Sequence, residues 1–131
     1  MVDRLKALAD TSIFVGLETG RIAYEDIENY DWGLSVVTLG ELRHGVLMAP
    51  NPAVGATRLA TLQVAQQCEA IPIDEQVSEA WAALVAQLRS SGRKAPINDT
   101  WIAATAIAHR IPLVTQDKGY DGMPDLEVIL A

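Results

Sequence analysis

The sequence has few of the residues that bind soft metals or cross-link a chain. It contains one cysteine, Cys68, and two histidines among 131 residues. A single cysteine cannot form a disulfide within the chain, which is compatible with a reducing cytoplasm. Zinc sites are built from clusters of cysteine and histidine, so a site of that type is not expected.

Long apolar runs are also missing. Asp, Glu, Arg or Gly interrupts each apolar stretch well before the length of a membrane span, so we expect no transmembrane segment. The first residues contain no apolar run followed by a small-residue cleavage site, so we expect no signal peptide and a cytoplasmic protein. Half of the residues are apolar, and the length fits one folded domain over residues 1–131.

Acidic residues outnumber basic ones. The chain has 10 Lys and Arg and 17 Asp and Glu, which gives a net charge of −7. Taken alone, this charge argues against binding of nucleic acid, since phosphate contacts need Lys and Arg. The objection weakens if several acids surround bound divalent ions, because the ion then dominates the local field. Any RNA contact must then use a local group of basic residues or a second subunit.

Short strand-like segments alternate with longer helical ones along the chain. The predicted strands are 5–9, 33–37, 70–73, 111–115 and 126–130. The predicted helices are 11–18, 38–48, 53–68, 75–90 and 98–109. Strands alternating with helices predict parallel βαβ units. We therefore expect an α/β fold, Rossmann-like, with three α/β/α layers around a central, mainly parallel sheet of about five strands.

Four acids fall where the carboxyl ends of these strands would meet. Asp10 follows the first strand, Glu41 and Asp99 lie in first turns of helices, and Asp117 lies two residues beyond the strand ending at Thr115. Ligands of open parallel sheets bind at that edge. Clustered carboxylates raise each other's pKa, and a divalent cation removes that cost. Oxygen-only ligands suit Mg²⁺ or Mn²⁺, ions that promote phosphodiester hydrolysis.

Three of the four acids also have a purely structural explanation, whereas Asp117 lies in a loop. Asp10 and Asp99 can cap the helices that they open. The segment from Thr38 to Glu41 matches a capping box, in which the glutamate reaches back to a backbone N–H. Asp74 also follows a strand and opens a helix, and we interpret it as a cap only. From its position alone, each of these three acids could therefore be a helix cap rather than a metal ligand.

The segments that carry the acids resemble a known family. ADTSIFVGLE, VVTLGELRHGV, PINDTWIAATAIAHRIPLVTQD and PDLEVI, in this order, resemble a PIN domain of the VapC toxin type nearly end to end. The resemblance implies that Asp10, Glu41 and Asp99 hold the metal. It implies a fourth acid at Asp117, with Asp121 as the competing candidate.

The same resemblance implies supporting residues and a function. Thr11, Ser12 and Thr115 match hydroxyls that order metal-bound water or the phosphate. The implied activity is that of an endoribonuclease using Mg²⁺, or Mn²⁺, on structured RNA, often tRNA. The implied partners are a VapB-type antitoxin and a second copy in a homodimer.

Two other functions remain open from the sequence. A receiver-type phosphoacceptor domain has a similar length and an acidic Mg²⁺ pocket, but it would show paired acids after the first strand and a lysine after the last one. A non-catalytic binding module on the PIN scaffold is the other alternative, which the intact acids disfavour.

Basic and aromatic residues near the acids give further hypotheses. The cations close to the acids in sequence are Arg43, Arg89, Arg93, Lys94 and Lys118. Some of these contact RNA phosphate in our hypothesis, and solvated surface charge is the alternative for each. We expect His44 and His109 to be partly buried rather than general bases. We expect the tryptophans in the core or in a subunit interface: Trp32, Trp81 and Trp101.

Overall fold

The structure, a computed structural model, describes residues 4–131. Its strands are β1 (Leu5–Ala9), β2 (Tyr30–Ser35), β3 (Glu69–Ile71), β4 (Leu113–Thr115) and β5 (Val128–Leu130). Its helices are α1 (Thr11–Thr19), α2 (Val36–Leu47), α3 (Pro52–Ala65), α4 (Glu75–Ser90) and α5 (Ile97–His109). Two 3-10 turns span Tyr24–Asp26 and Lys118–Tyr120.

The strands form one sheet in the order β3-β2-β1-β4-β5, and each neighbouring pair is parallel. β1 is central, with Leu8 opposite Gly33 of β2 and Leu113 of β4. The strand order reverses between β1 and β4, which is where open α/β sheets bind ligands. The predicted α/β architecture is confirmed, and the described part of the sheet is parallel throughout.

Each face of the sheet has its own core. Ala7 and Ala9 of β1 pack into one core with residues of α1, α2 and α3, whereas Leu8 packs into the other with residues of α4 and α5. This alternation follows from the two-residue period of a strand. Helix α5 is buried along most of its length, as its apolar sequence predicts. The chain thus forms three layers, with the sheet between two helical layers.

The boundary between β2 and α2 differs from the prediction. Ser35 ends the strand, and its hydroxyl accepts a hydrogen bond of 3.1 Å from the backbone N–H of Val37. The β-branched Val36 and Val37 favour a longer strand, but a side-chain cap at Ser35 starts the helix two residues earlier. The predicted capping box at Thr38 is therefore wrong, because Thr38 lies inside the helix and is fully buried.

A second helix cap agrees with the prediction, and the three tryptophans are half-buried. The side chain of Asp74 accepts a hydrogen bond of 2.9 Å from the N–H of Val77, so its predicted role as a cap is confirmed. Trp81 stacks on Trp101 with ring centroids 4.4 Å apart. Trp32 packs against the core that contains Ala7.

The predicted partial burial of the two histidines is wrong. His44 and His109 are both exposed, each in the last turn of its helix. That position suits a side chain that can carry positive charge, because the helix C-terminus is partially negative.

No helix within residues 4–131 combines the length and apolar character needed to cross a membrane.

Candidate metal centre

Asp10 is the most buried of the predicted acids, with 5% of its surface exposed. Its Oδ2 accepts hydrogen bonds of 2.8 Å from the hydroxyls of Ser12 and Thr115. Its Oδ1 accepts one of 3.0 Å from the hydroxyl of Tyr120. The side chain makes no capping bond to helix α1, so the capping alternative is wrong for Asp10. Three separate segments instead hold this carboxylate in place.

The hydroxyls of Ser12 and Thr115 also organise the loop that follows β4. Ser12 Oγ accepts a hydrogen bond of 2.9 Å from the N–H of Gln116, and Thr115 Oγ1 accepts one of 2.9 Å from the N–H of Asp117. Each hydroxyl therefore donates to Asp10 and accepts from the loop. In the structure these two residues position two of the predicted acids.

Glu41 is oriented by the residue that follows Asp10. The hydroxyl of Thr11 lies 2.7 Å from Glu41 Oε1 and 3.0 Å from Thr38 Oγ1. Glu41 therefore faces the start of α1 rather than the N-terminus of its own helix. The contact brings the carboxylate from α2 next to the residues at the end of β1.

Asp99 lies in the first turn of α5, half-buried, and the cap position of that helix is occupied by Pro96 without a side-chain hydrogen bond. The pKa of Asp99 is raised to about 6. Burial is the main cause of the raised pKa, the nearby hydroxyl of Tyr120 opposes it, and the negative charges of the other three predicted acids add to it. The four acids therefore act on one another electrostatically around Asp99.

The fourth acid sits in the turn after β4. Asp117 is exposed, and its Oδ1 accepts a hydrogen bond of 2.8 Å from the N–H of Gly119. Its charge is among those that raise the pKa of Asp99, whereas Asp121 is not. This difference supports Asp117 over Asp121 as the fourth member of the cluster.

Tyr120 is the functional candidate that the sequence analysis missed. It is fully buried, and its hydroxyl donates to Asp10 and lies within hydrogen-bonding reach of Asp99. Burial, reinforced by these two carboxylates, holds the pKa of Tyr120 well above its ordinary value, so the phenol stays protonated and can donate. An aromatic residue in an otherwise polar loop, three positions after Asp117, was the available signal, because such a ring must be covered somewhere.

The donor set fits a hard divalent cation, although it is not a closed ligand shell. Within residues 4–131, no group of three Asp, Glu, His or Cys side chains is already placed to chelate a metal. Within residues 4–131 the one salt bridge joins Lys6 to Glu69. No lysine or arginine among these residues therefore forms a salt bridge with any of the four acids. Oxygen ligands with uncompensated negative charge are what Mg²⁺ and Mn²⁺ bind.

The predicted RNA-contacting cations differ in their surroundings. Arg93 Nη2 donates a hydrogen bond of 2.6 Å to the carbonyl of Gly119, so it ties the α4–α5 loop to the turn that carries Tyr120. A cavity of about 380 Å³ lies beside the start of α5, and its lining includes Trp81, Arg89, Arg93 and Lys94. Arg43 and Lys118 are exposed.

The chain is similar to known proteins along nearly its whole length. The family model described as PIN domain matches residues 7–126. The chain is 57% identical to Ribonuclease VapC4 of Mycobacterium tuberculosis over 124 residues, which cover 95% of each protein. It is 42% identical to Ribonuclease VapC5 of the same organism, over 92% of this chain and 91% of that one.

A solved structure shows the same relationship in three dimensions. The structure of VapBC-5 from Mycobacterium tuberculosis, a member of the VapBC family of toxin–antitoxin systems, superimposes with a TM-score of 0.83 and 38% sequence identity. The match covers 96% of this chain and 98% of that one. With the acids at the carboxyl edge of the sheet and this similarity along nearly the whole length, the chain belongs to the PIN-domain family and, within it, to the VapC group.

Proposed function

We propose that the chain is the toxin of a VapBC pair, a metal-dependent endoribonuclease that hydrolyses phosphodiester bonds in RNA. The proposal is carried by the position of Asp10, Glu41 and Asp117 near enough to Asp99 to raise its pKa, while within residues 4–131 none of the four acids forms a salt bridge. The relatives with 57% and 42% identity are both named as ribonucleases. Fold alone would not support an activity, so the proposal also depends on the four acids that this chain carries at the carboxyl edge of its sheet.

The metal ligands in this proposal are Asp10, Glu41, Asp99 and Asp117, and the ion is Mg²⁺ or Mn²⁺. A bound divalent ion would supply neutralisation of charge on the phosphodiester and activation of the attacking water. The chain itself contributes orientation. Hydroxyl groups already orient the carboxylates of Asp10 and Glu41. These side chains would therefore lose little conformational freedom when a metal ion binds.

The RNA is proposed to be structured, with tRNA as the first candidate class. Cations close to the acids in sequence would contact its phosphates, although the net charge of the chain is −7: Arg43, Arg93, Lys94 and Lys118. We propose that this activity takes place in the cytoplasm. A VapB-type antitoxin is proposed to hold the enzyme inactive, as the toxin–antitoxin assembly of VapBC-5 suggests. We also propose a homodimer, in which a second subunit would extend the RNA-binding surface.

Inducible expression of the wild type and of Asp99→Asn, with sequencing of RNA 5′ ends, tests the proposal. The wild type is expected to slow growth and to produce new 5′ ends at a small set of RNA positions. Asp99→Asn is expected to do neither at an equal protein level. New 5′ ends at equal frequency in both strains, or in neither, would contradict the proposal; the second result would favour a non-catalytic module.

A further inference from the structure

We infer that Tyr120 is a positioning residue whose hydroxyl holds Oδ1 of Asp10 beside Asp99 and leaves that oxygen one free lone pair for a metal ion. This inference rests on the proposed metal-dependent function. It concerns a residue outside the set of four acids, and it specifies which oxygen of Asp10 binds the ion.

The hydrogen bonds of Asp10 determine which oxygen is available. A carboxylate oxygen has two lone-pair sites. Oδ2 accepts two hydroxyl protons, from Ser12 and Thr115, each at 2.8 Å, and is therefore saturated. Oδ1 accepts one proton, from Tyr120 at 3.0 Å. Asp10 can therefore bind a metal through Oδ1 alone, and Tyr120 sets the direction of the remaining lone pair.

The hydroxyl of Tyr120 has no role in packing. The ring is fully buried among Leu8, Ile102 and Met123, and a phenylalanine ring would fill the same space. The hydroxyl leaves this apolar core and points at two carboxylates, those of Asp10 and Asp99. Because it has a single proton, it can donate to one of them at a time, and the 3.0 Å contact directs that proton to Asp10.

The turn that carries Tyr120 is held from both sides. Arg93 of the α4–α5 loop donates a hydrogen bond of 2.6 Å to the carbonyl of Gly119, and the N–H of Gly119 donates to Asp117 at 2.8 Å. The N–H of Asp121 closes the turn by donating to the carbonyl of Lys118 at 3.0 Å. The position of the hydroxyl is therefore fixed by the backbone rather than by the carboxylates that it contacts.

Calorimetric titration of Mn²⁺ into the metal-free protein tests the inference with Tyr120→Phe. We expect Mn²⁺ to bind roughly 10- to 100-fold more weakly, the usual effect of removing a group that orients a metal ligand. We expect kcat for RNA cleavage to fall while KM for RNA stays unchanged, because the hydroxyl does not contact RNA. Tyr30→Phe is the matched control, since Tyr30 packs against Trp32 at the opposite end of the sheet.

The outcomes separate this inference from the proposed function. Wild-type Mn²⁺ affinity in Tyr120→Phe, with normal binding by the wild type, would overturn the inference and leave the nuclease proposal intact. A wild type that binds no divalent ion and cleaves no RNA would overturn both. If Tyr120→Phe does not fold, Arg93→Ala takes its place, because it loosens the turn without changing the buried ring; unchanged Mn²⁺ affinity there would equally overturn the inference.

Discussion

The hydroxyl of Thr115 donates a hydrogen bond of 2.8 Å to Oδ2 of Asp10, although 105 positions separate the two residues. Thr115 ends β4 and Asp10 follows β1, and these strands are neighbours at the point where the strand order reverses. The contact therefore joins the first acid to the segment that carries the fourth. The topology of the sheet, rather than any local motif, builds the candidate site.

Asp10 and Asp74 form a natural pair for comparison, because each aspartate follows a strand and precedes a helix. Asp10→Asn is expected to reduce RNA cleavage to background while the protein stays folded. Asp74→Ala is expected to lower the free energy of unfolding by about 1 kcal/mol through loss of its cap, with cleavage unchanged. Denaturant unfolding and RNA cleavage measure the two effects. Full activity in Asp10→Asn would remove this residue from the site.

The raised pKa of Asp99 predicts how the stability of the metal-free protein depends on pH. Its ordinary value is 3.8 and its value in the folded protein is about 6, so the folded state binds the proton more tightly. This stabilises the folded protein below about pH 4, and the contribution is lost as the pH rises through 6. In EDTA, the melting temperature of the wild type should therefore fall between pH 4 and 7 relative to that of Asp99→Asn.

Thermal melting of both proteins across this pH range checks the prediction. Asp121→Asn is the control, because Asp121 is exposed and close in sequence but does not contribute to the shift of Asp99. Asp99→Asn should melt above the wild type at pH 7.5 in EDTA, and saturating Mg²⁺ should narrow or reverse the difference. Identical pH profiles for the wild type and Asp99→Asn would show that Asp99 carries no unfavourable charge.

Ser35 and Glu41 test the corrected start of helix α2. Ser35→Ala removes the observed cap and should cost about 1 kcal/mol of stability. Glu41→Gln should cost no capping energy, because Glu41 accepts its hydrogen bond from Thr11 rather than from the backbone of its own helix, yet it should abolish cleavage. Chemical denaturation of both variants distinguishes these roles. A larger stability loss in Glu41→Gln than in Ser35→Ala would restore the capping explanation.

Arg93 and Lys94 are adjacent but should behave differently. Lys94 is exposed, so Lys94→Ala should weaken RNA binding and lower the slope of log affinity against log salt by roughly 1. Arg93 already donates to Gly119, so Arg93→Ala should mainly lower kcat. RNA binding measured at several salt concentrations, beside steady-state cleavage, separates the effects. Equal salt slopes in the wild type and Lys94→Ala would exclude Lys94 from the RNA contact.

The sequence predicted the strands and helices to within a few residues, because the apolar periods are strong and the connections short. The β2–α2 boundary was missed since Val36 and Val37 favour a strand by themselves, and a single hydroxyl at Ser35 decides otherwise. The histidines were misplaced because an apolar-rich helix still has an exposed edge, and both lie on it.

The four acids were predicted from their positions at strand ends and from the family resemblance. Their orientation could not be predicted, because it depends on side-chain contacts between distant segments. Tyr120 shows the difference between a position that the sequence predicts and a side-chain contact that it does not. Its burial follows from its aromatic ring, but its contact with Asp10 spans 110 positions and needs the folded sheet.

The most direct test of the candidate site is a titration of Mn²⁺ into wild type and Asp99→Asn at pH 7.5, with the number of bound ions and the affinity read by calorimetry. If the four acids form a metal centre, the wild type binds at least one ion and Asp99→Asn binds it much more weakly. Equal affinity in the two proteins, or no binding by the wild type, would contradict the assignment.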